Sequence, residues 1–143
     1  MVPRRLPPRL YHWTSASLLD DILQKGLLPD TRVRRGGHNR DKQVVFLQDE
    51  GDIEFAGTYF NLPTDPVRLT INTALLDGEW SPDLAAWNDW PGDPEDGLRG
   101  TMAKPSHFDT LHYTGCVCYH GAIPPQAILE SLITPLPDHL AVF

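Results

Sequence analysis

The alternation of apolar and polar positions divides the chain into segments with distinct periods. Residues 1–8 hold three prolines and two arginines and form an extended lead-in, after which Leu10 to Trp13 predicts a short strand. Ser15 or Ser17 then offers an N-cap, and Leu18, Leu19, Ile22, Leu23 and Leu27 follow at helical spacing. Asp20 and Asp21 fall in the first turn, where carboxylates suit the helix dipole. Gly26 provides a C-terminal stop and Pro29 prevents continuation, so the spacing predicts a helix over residues 17–25. Residues 30–42 (DTRVRRGGHNRDK) are a polar loop around a Gly-Gly pair. Val44 to Leu47 is a continuous apolar run and predicts a buried strand. Asp49 to Thr58 predicts a short helix ending near Gly57, with a further strand or turn from Tyr59 and Phe60. Val67 to Asn72 alternates cleanly and predicts a half-buried strand. Residues 73–105, rich in Pro, Gly and Asp, are a long irregular stretch with one helical turn near Pro82 to Trp87. Thr114 to His120 is a strand candidate, and Gly121 to Pro125 turns the chain. Pro125 then opens a short helix at Gln126–Glu130, before Leu132 to Thr134 and Leu140 to Phe143 as short terminal strands or coil. A leading helix followed mainly by strands, with short helices between, predicts an α+β fold on a largely antiparallel or mixed sheet.

Composition bounds this picture. The 143 residues predict one domain spanning 1–143, and 41% hydrophobic with 22% charged residues suffices for a packed core. No apolar run reaches the roughly 20 residues of a membrane helix, and the N-terminus carries charge without an apolar h-region. The expectation is a soluble cytoplasmic protein with no membrane partner. Cys116 and Cys118 lie one residue apart, a spacing at which a bridge is strained, so no disulfide framework is expected. The net charge of −7 is uneven: residues 1–42 hold nine basic and four acidic side chains, and the remainder holds three and fifteen. A segment at +5 on an acidic protein is either a local anion-binding surface or a set of solvated arginines.

Several groups could carry chemistry. His12 stands in Tyr11-His12-Trp13-Thr14, at the end of a strand just before a helix, where an imidazole and a hydroxyl can meet a ligand; a satisfied structural histidine is the alternative. Arg32, Arg34, Arg35 and Arg40 crowd the loop after that helix, and guanidinium forks suit a pyrophosphate or a nucleic-acid backbone. Strand alternation puts Cys116, Cys118 and His120 on one face and Val117 and Tyr119 on the other. With His107 and His112 these thiols and imidazoles lie within 14 residues, which raises a zinc reading beside ordinary packing, although the spacing matches no standard zinc module. Trp80, Trp87 and Trp90 either pin a long loop or stack on rings.

Four strings in order carry a family likeness. LYHWTSASLLDDILQKGLLPDTR resembles the opening of the ADP-ribosyltransferase superfamily, a strand ending in His-x-Thr and then a helix of the form L-x-x-I-L-x-x-G-L-x-P. DarT-type nucleic-acid ADP-ribosyltransferases, rifampin ADP-ribosyltransferases and tRNA 2′-phosphotransferases share that pattern. VVFLQDEGDIEFA is similar to the family's second strand and following helix, VRLTINTALLD to its next strand, and GCVCYHGAIPPQAIL to its closing strand and turn. The likeness implies a split arrangement of mixed or antiparallel sheets, with a cleft that holds NAD. Carried over, His12 anchors the nicotinamide-side ribose with Tyr11 and Thr14 beside it. Tyr59 or Phe60 matches an aromatic that stacks on nicotinamide, and Arg32, Arg34, Arg35 and Arg40 arch over the cofactor.

One departure stands out. Active transferases place a Glu on the late strand, and TGCVCYHGAIPP contains neither Glu nor Asp. Asp109 is the nearest substitute, with His107 and His112 as further candidates for acceptor activation by proton transfer. The first expectation is therefore an NAD-dependent transferase that modifies a macromolecule, with DNA or RNA as partner through the basic N-terminal third. A non-catalytic nucleotide- or partner-binding module on the same fold is the alternative, together with a tRNA 2′-phosphotransferase-like enzyme, which needs no glutamate.

Overall fold

A single antiparallel sheet of six strands organises the computed structural model, which describes residues 2–29, 44–59, 62–89 and 104–140. In chain order the strands are β1 (Arg9–Ser15), β2 (Val44–Gln48), β3 (Pro66–Asn72), β4 (Glu79–Pro82), β5 (Cys116–His120) and β6 (Ile128–Ile133). Across the sheet they run β4-β5-β2-β1-β3-β6. Helices α1 (Leu19–Lys25), α2 (Ile53–Tyr59), α3 (Leu84–Asp89) and α4 (His107–Thr114) fill the connections. The molecule is α+β, as the element pattern predicts.

Pairing is uneven. β1 and β3 stay in register from Arg9↔Asn72 to Ser15↔Pro66, and β2 and β5 from Val44↔His120 to Gln48↔Cys116. Between β1 and β2 only Tyr11↔Gln48 is in register. The sheet thus consists of two three-stranded halves, β4-β5-β2 and β1-β3-β6, tied at its middle by one pair.

Alternation sorts the side chains. Leu10, Val45, Leu47, Val67, Leu69, Ile71, Val117 and Tyr119 form one buried cluster with Ile22, Leu27, Leu111 and Ile123. Behind them, Val44, Phe46 and Cys118 pack together, and Cys116 meets Ala86 and Phe55. Every residue of β2 is buried, because it is central and covered on both sides; this is why Val44 to Leu47 reads as an unbroken apolar run.

Local signals explain α1. Ser15 Oγ accepts from the Ser17 N–H, and the Asp65 carboxylate accepts from both Ser15 Oγ and that N–H, fixing the entry turn. Gly26 ends the helix at φ 84°, and its N–H donates to the Ile22 carbonyl. Leu27 and Ile123 then exchange two backbone hydrogen bonds of 2.8 Å, which bring the Ile123 carbonyl against Gly26 where a Cβ would collide with it. Glycine is required there both for its backbone angle and for that approach.

Three expectations need correction. The strand predicted from Thr114 starts at Cys116, because His107–Thr114 is helical. Ser106 Oγ accepts from the Asp109 N–H at 3.2 Å and the Asp109 carboxylate from the Ser106 N–H at 2.8 Å, a capping box, and Gly115 closes the helix at φ 75°. The helix predicted at Gln126–Glu130 is a single 3-10 turn, Pro125–Ala127, after which β6 extends along β3. The irregular stretch also holds β4, which exists through its pairing with β5.

Candidate functional site

The parting of β1 from β2 is where His12 acts. Continuing the register from Tyr11↔Gln48 would set Trp13 opposite Phe46. Instead the His12 side chain bridges the strands: its Nδ1–H donates to the Phe46 carbonyl at 2.8 Å. A carbonyl only accepts, so the contact puts the proton on Nδ1 and, in the neutral ring, the lone pair on Nε2. His12 is half-buried, and Thr14, buried, shares its side of β1.

The other side of this seam is short of partners. Tyr11 lies under the Arg68 guanidinium, 5.2 Å from the ring centroid. Arg68 Nη1 donates to the Gly51 carbonyl and Nη2 pairs with Glu130, each at 3.1 Å. A Cβ at Gly51 would stand 2.8 Å from Arg68 Nη1, the far end of a flexible side chain, and 3.3 Å from the Tyr11 ring, so a larger residue there would displace the guanidinium. Yet Trp13 Nε1, Arg68 Nε, Gln48 Oε1 and Gln48 Nε2 are buried with no hydrogen-bond partner. Four such atoms around one register pair are unusual for a native interior.

A hollow of about 500 Å³ opens beside the end of β2. Pro3, Leu6, Pro7 and Pro8 of the lead-in form one wall. Phe108, Leu111 and His112, three and four residues apart along α4, form the other, and Asp49 and Arg5 supply charge. Burial against these walls raises the Asp49 carboxyl above its ordinary value, and neighbouring Glu50 adds to the rise; a backbone hydrogen bond and His112 partly offset it. The Asp49 N–H donates to the Gly115 carbonyl at 2.9 Å, immediately before β5. An apolar hollow with a few convergent ionisable groups, one of them perturbed, is the usual form of a small-molecule site.

The expected site residues fall in different places. His12 and Thr14 lie at the seam and Tyr11 on the opposite face of the sheet, while His112 lines the hollow. Asp109 is held in the cap of α4. His107, at the start of that helix, has its pKa lowered by burial against the opposing pull of Asp109, and its ring lies 4.1 Å from that of Phe108. Arg32, Arg34, Arg35 and Arg40, and the side chain of Tyr59, lie outside the described residues. Val117 and Tyr119 face the main core, but Cys116 and Cys118 line no cleft: both are 0% exposed. His120 Nε2 is 2.7 Å from Ser81 Oγ. Among the described residues no group of three or more His, Cys, Asp or Glu converges on a point that could hold a metal. Asp49 and Arg5 were not among the expected residues. Arg5 belongs to the basic 1–42 segment, and the trace of Asp49 is the Asp49-Glu50 pair directly after a buried strand, where one of two adjacent carboxyls is prone to a raised pKa.

No protein-family description matches the chain, and no curated protein matches its sequence. Fold and site together define a small α+β protein whose sheet is parted at its middle, and among the described residues no helix is long and apolar enough to cross a membrane.

Proposed function

We propose that the chain is an ADP-ribosyltransferase-like protein that takes NAD at the parted middle of its sheet and transfers ADP-ribose to a macromolecule, with nucleic acid the acceptor class suited to its basic N-terminal third. One observation carries this reading. β1 and β2 share a single register pair, and the imidazole of a His-x-Thr strand, rather than the backbone ladder, spans the gap beyond it. A sheet parted at its middle, with a histidine reaching across the gap, suits the split arrangement and anchoring histidine that the four sequence strings imply. The residues suit the ligand. His12, its ring held in place by the Phe46 carbonyl, is the imidazole at the seam that suits a ribose hydroxyl. Arg5 suits a phosphate and Phe108 a ring, in a hollow large enough for a nucleotide half. NAD supplies an activated glycosidic bond, whose cleavage builds positive charge at the sugar carbon. A carboxylate beside that carbon stabilises the charge. β5 has none, but Asp49, hydrogen-bonded through its backbone to the residue before β5, brings one next to it.

A second reading has its own support. With no carboxylate on β5 and both its thiols sealed in the interior, the late strand offers a cleft neither a carboxylate nor a thiol, which favours a nucleotide- or partner-binding module.

Incubation with NAD labelled separately in the nicotinamide and in the ADP-ribose, with and without DNA, RNA or protein, separates the readings. Nicotinamide release with the ADP-ribose label appearing on the macromolecule, which His12→Ala abolishes together with binding and Asp49→Asn abolishes with binding retained, supports transfer. Binding of NAD without release selects the module. Movement of a 2′-phosphate from RNA to NAD selects the phosphotransferase alternative. Neither binding nor release refutes all three.

A further inference from the structure

The lead-in before β1 is stiff, and one residue tethers it. Proline fixes its own backbone angle and holds the residue before it extended, which restrains Val2, Pro3, Leu6, Pro7 and Pro8 and leaves Arg4 and Arg5 as the looser pair between them. The prolines supply no N–H, and pairing with β3 begins only at Arg9↔Asn72. Just before that point, Thr73 Oγ1 donates to the Pro7 carbonyl at 2.5 Å and the Thr73 N–H to the Pro8 carbonyl at 3.1 Å. Among the described residues, segment 2–8 makes no other hydrogen bond and no ion pair. Leu6 adds an apolar hold, half-buried against the main core. Thr73 is itself fixed: it follows β3 directly, and Asn72 Oδ1 accepts from the Ala74 N–H at 3.1 Å, capping the 3-10 turn Thr73–Leu75. The tethered segment is one wall of the hollow, and the exposed Arg5 stands in that wall, while Thr73 does not line the hollow.

We propose that the lead-in is a strap that delivers the Arg5 guanidinium to a phosphate group in the hollow, and that Thr73 is the residue that positions it. The ligand's identity rests on the reading of the hollow as half of a dinucleotide site; the mechanics of the strap do not. A stiff segment transmits the placement of its anchored end. Pro7 and Pro8 are fixed at their carbonyls and Leu6 is held by the core, so Arg5 is the first residue beyond the anchor. It makes no ion pair within the described chain that would draw it elsewhere. A guanidinium–phosphate contact is charge-assisted and two-pronged, and its strength depends on how the planar fork is presented. Released from the Thr73 hydroxyl, the same arginine samples more directions and meets a phosphate less often. Thr73 thus acts on a ligand only through Arg5, which is what makes its role separable from ordinary support of the fold.

Two measurements on the full chain test the proposal, the first without ligand. Tryptic cleavage between Arg5 and Leu6 requires release of the strap, because Leu6 packs on the core and Pro7 is tethered. Thr73→Val removes the hydroxyl, keeps the branched shape, and is expected to speed this cleavage about three- to tenfold, the worth of one hydrogen bond. Thr73→Ser keeps the hydroxyl and is expected to cleave at the native rate. The second measurement is equilibrium binding of NAD, and of inorganic pyrophosphate as a probe of the phosphate contact alone. Thr73→Val and Arg5→Ala are each expected to weaken binding severalfold, Thr73→Ser to bind like the native chain, and the double variant Thr73→Val with Arg5→Ala to bind no worse than Arg5→Ala. Urea midpoints verify that each variant folds. Equal cleavage of the native chain and Thr73→Val overturns the tether. Losses of binding that add in the double variant, or that persist in Thr73→Ser, overturn the delivery of Arg5 and leave Thr73 a residue of the fold alone. A native chain that binds pyrophosphate but not NAD refutes the transferase reading, and the same set of variants on pyrophosphate then decides the strap. A native chain that binds neither overturns both.

Discussion

Replacing Gln48 by methionine should make the protein more stable. Gln48 is 1% exposed at the end of β2, opposite Tyr11 at the one register pair of the seam and opposite Cys116 on its other side. Its amide oxygen and nitrogen both lack hydrogen-bond partners. A buried polar group left unpaired costs about 1–3 kcal/mol. Methionine keeps the unbranched skeleton and nearly the volume while removing both polar atoms. Volume-conserving exchanges cost less than about 1.5 kcal/mol, and flexible methionine adapts to irregular space. Relief of two unpaired atoms against that cost leaves a net gain of about 1–3 kcal/mol. Each kcal/mol raises the melting temperature of a domain this size by roughly 2–4 °C. Urea unfolding should show a higher midpoint at unchanged slope, with a matching thermal shift. A loss of more than about 1 kcal/mol at unchanged slope would falsify the reasoning. It would mean that the amide is satisfied in solution, by ordered water for instance, and that the seam is fully paired.

Two carboxyls should shape the acid response in opposite directions. Asp49 is raised above 3.8 mainly by burial, so the folded state binds its proton more tightly than the unfolded state does. Its contribution is most favourable below 3.8 and declines as pH climbs through the raised folded value. Asp49→Asn should therefore match the native chain in acid and gain on it as pH rises, which paired denaturation curves across that range would measure; a constant difference refutes the assignment. Asp65 is lowered from 3.8, first by the Ser15 hydroxyl, so its contribution is present above 3.8 and is lost as pH falls through the folded value. Asp65→Asn should be the less stable chain at neutral pH, by an amount that shrinks in acid. Gly26→Ala combines a left-handed backbone angle with a collision against the Ile123 carbonyl and should cost about 2 kcal/mol or more, read from urea midpoints; a neutral result would show that the turn can move.

What the sequence discloses depends on how local the cause is. α1 is legible because Ser15, which caps the 3-10 turn Ala16–Leu18 leading into it, the first-turn aspartates and the Gly26 stop all lie within one segment. β3 is legible because one side faces a core, and β2 because both sides do. β4 and β6 are harder to read: both are edge strands, Glu79–Pro82 has little apolar periodicity, and Ile128–Ile133 is exposed along most of its length. Their pairing with β5 and β3 decides them. The signal for α4 was present, since Ser106 and Asp109 stand at capping-box spacing before Gly115. The same Asp109 also serves as a candidate proton-transfer group when only its charge is considered, but its carboxylate accepts from the Ser106 N–H in the capping box and is already employed there. The site divides along the same line. A histidine at the end of a strand before a helix marks His12, but the carbonyl that fixes its tautomer lies 34 residues away on β2. Asp49 gains its raised pKa from walls supplied by the lead-in and α4, which no segment around it announces. β5 carries no carboxylate of its own, and the Asp49 N–H, one residue past β2, donates to the Gly115 carbonyl just before β5, so strand pairing alone sets that carboxyl beside the start of β5. On the transferase reading proposed above, activity depends on strand pairing rather than on a motif. Asp49→Asn should then remove turnover while leaving that backbone bond, and hence the fold, in place.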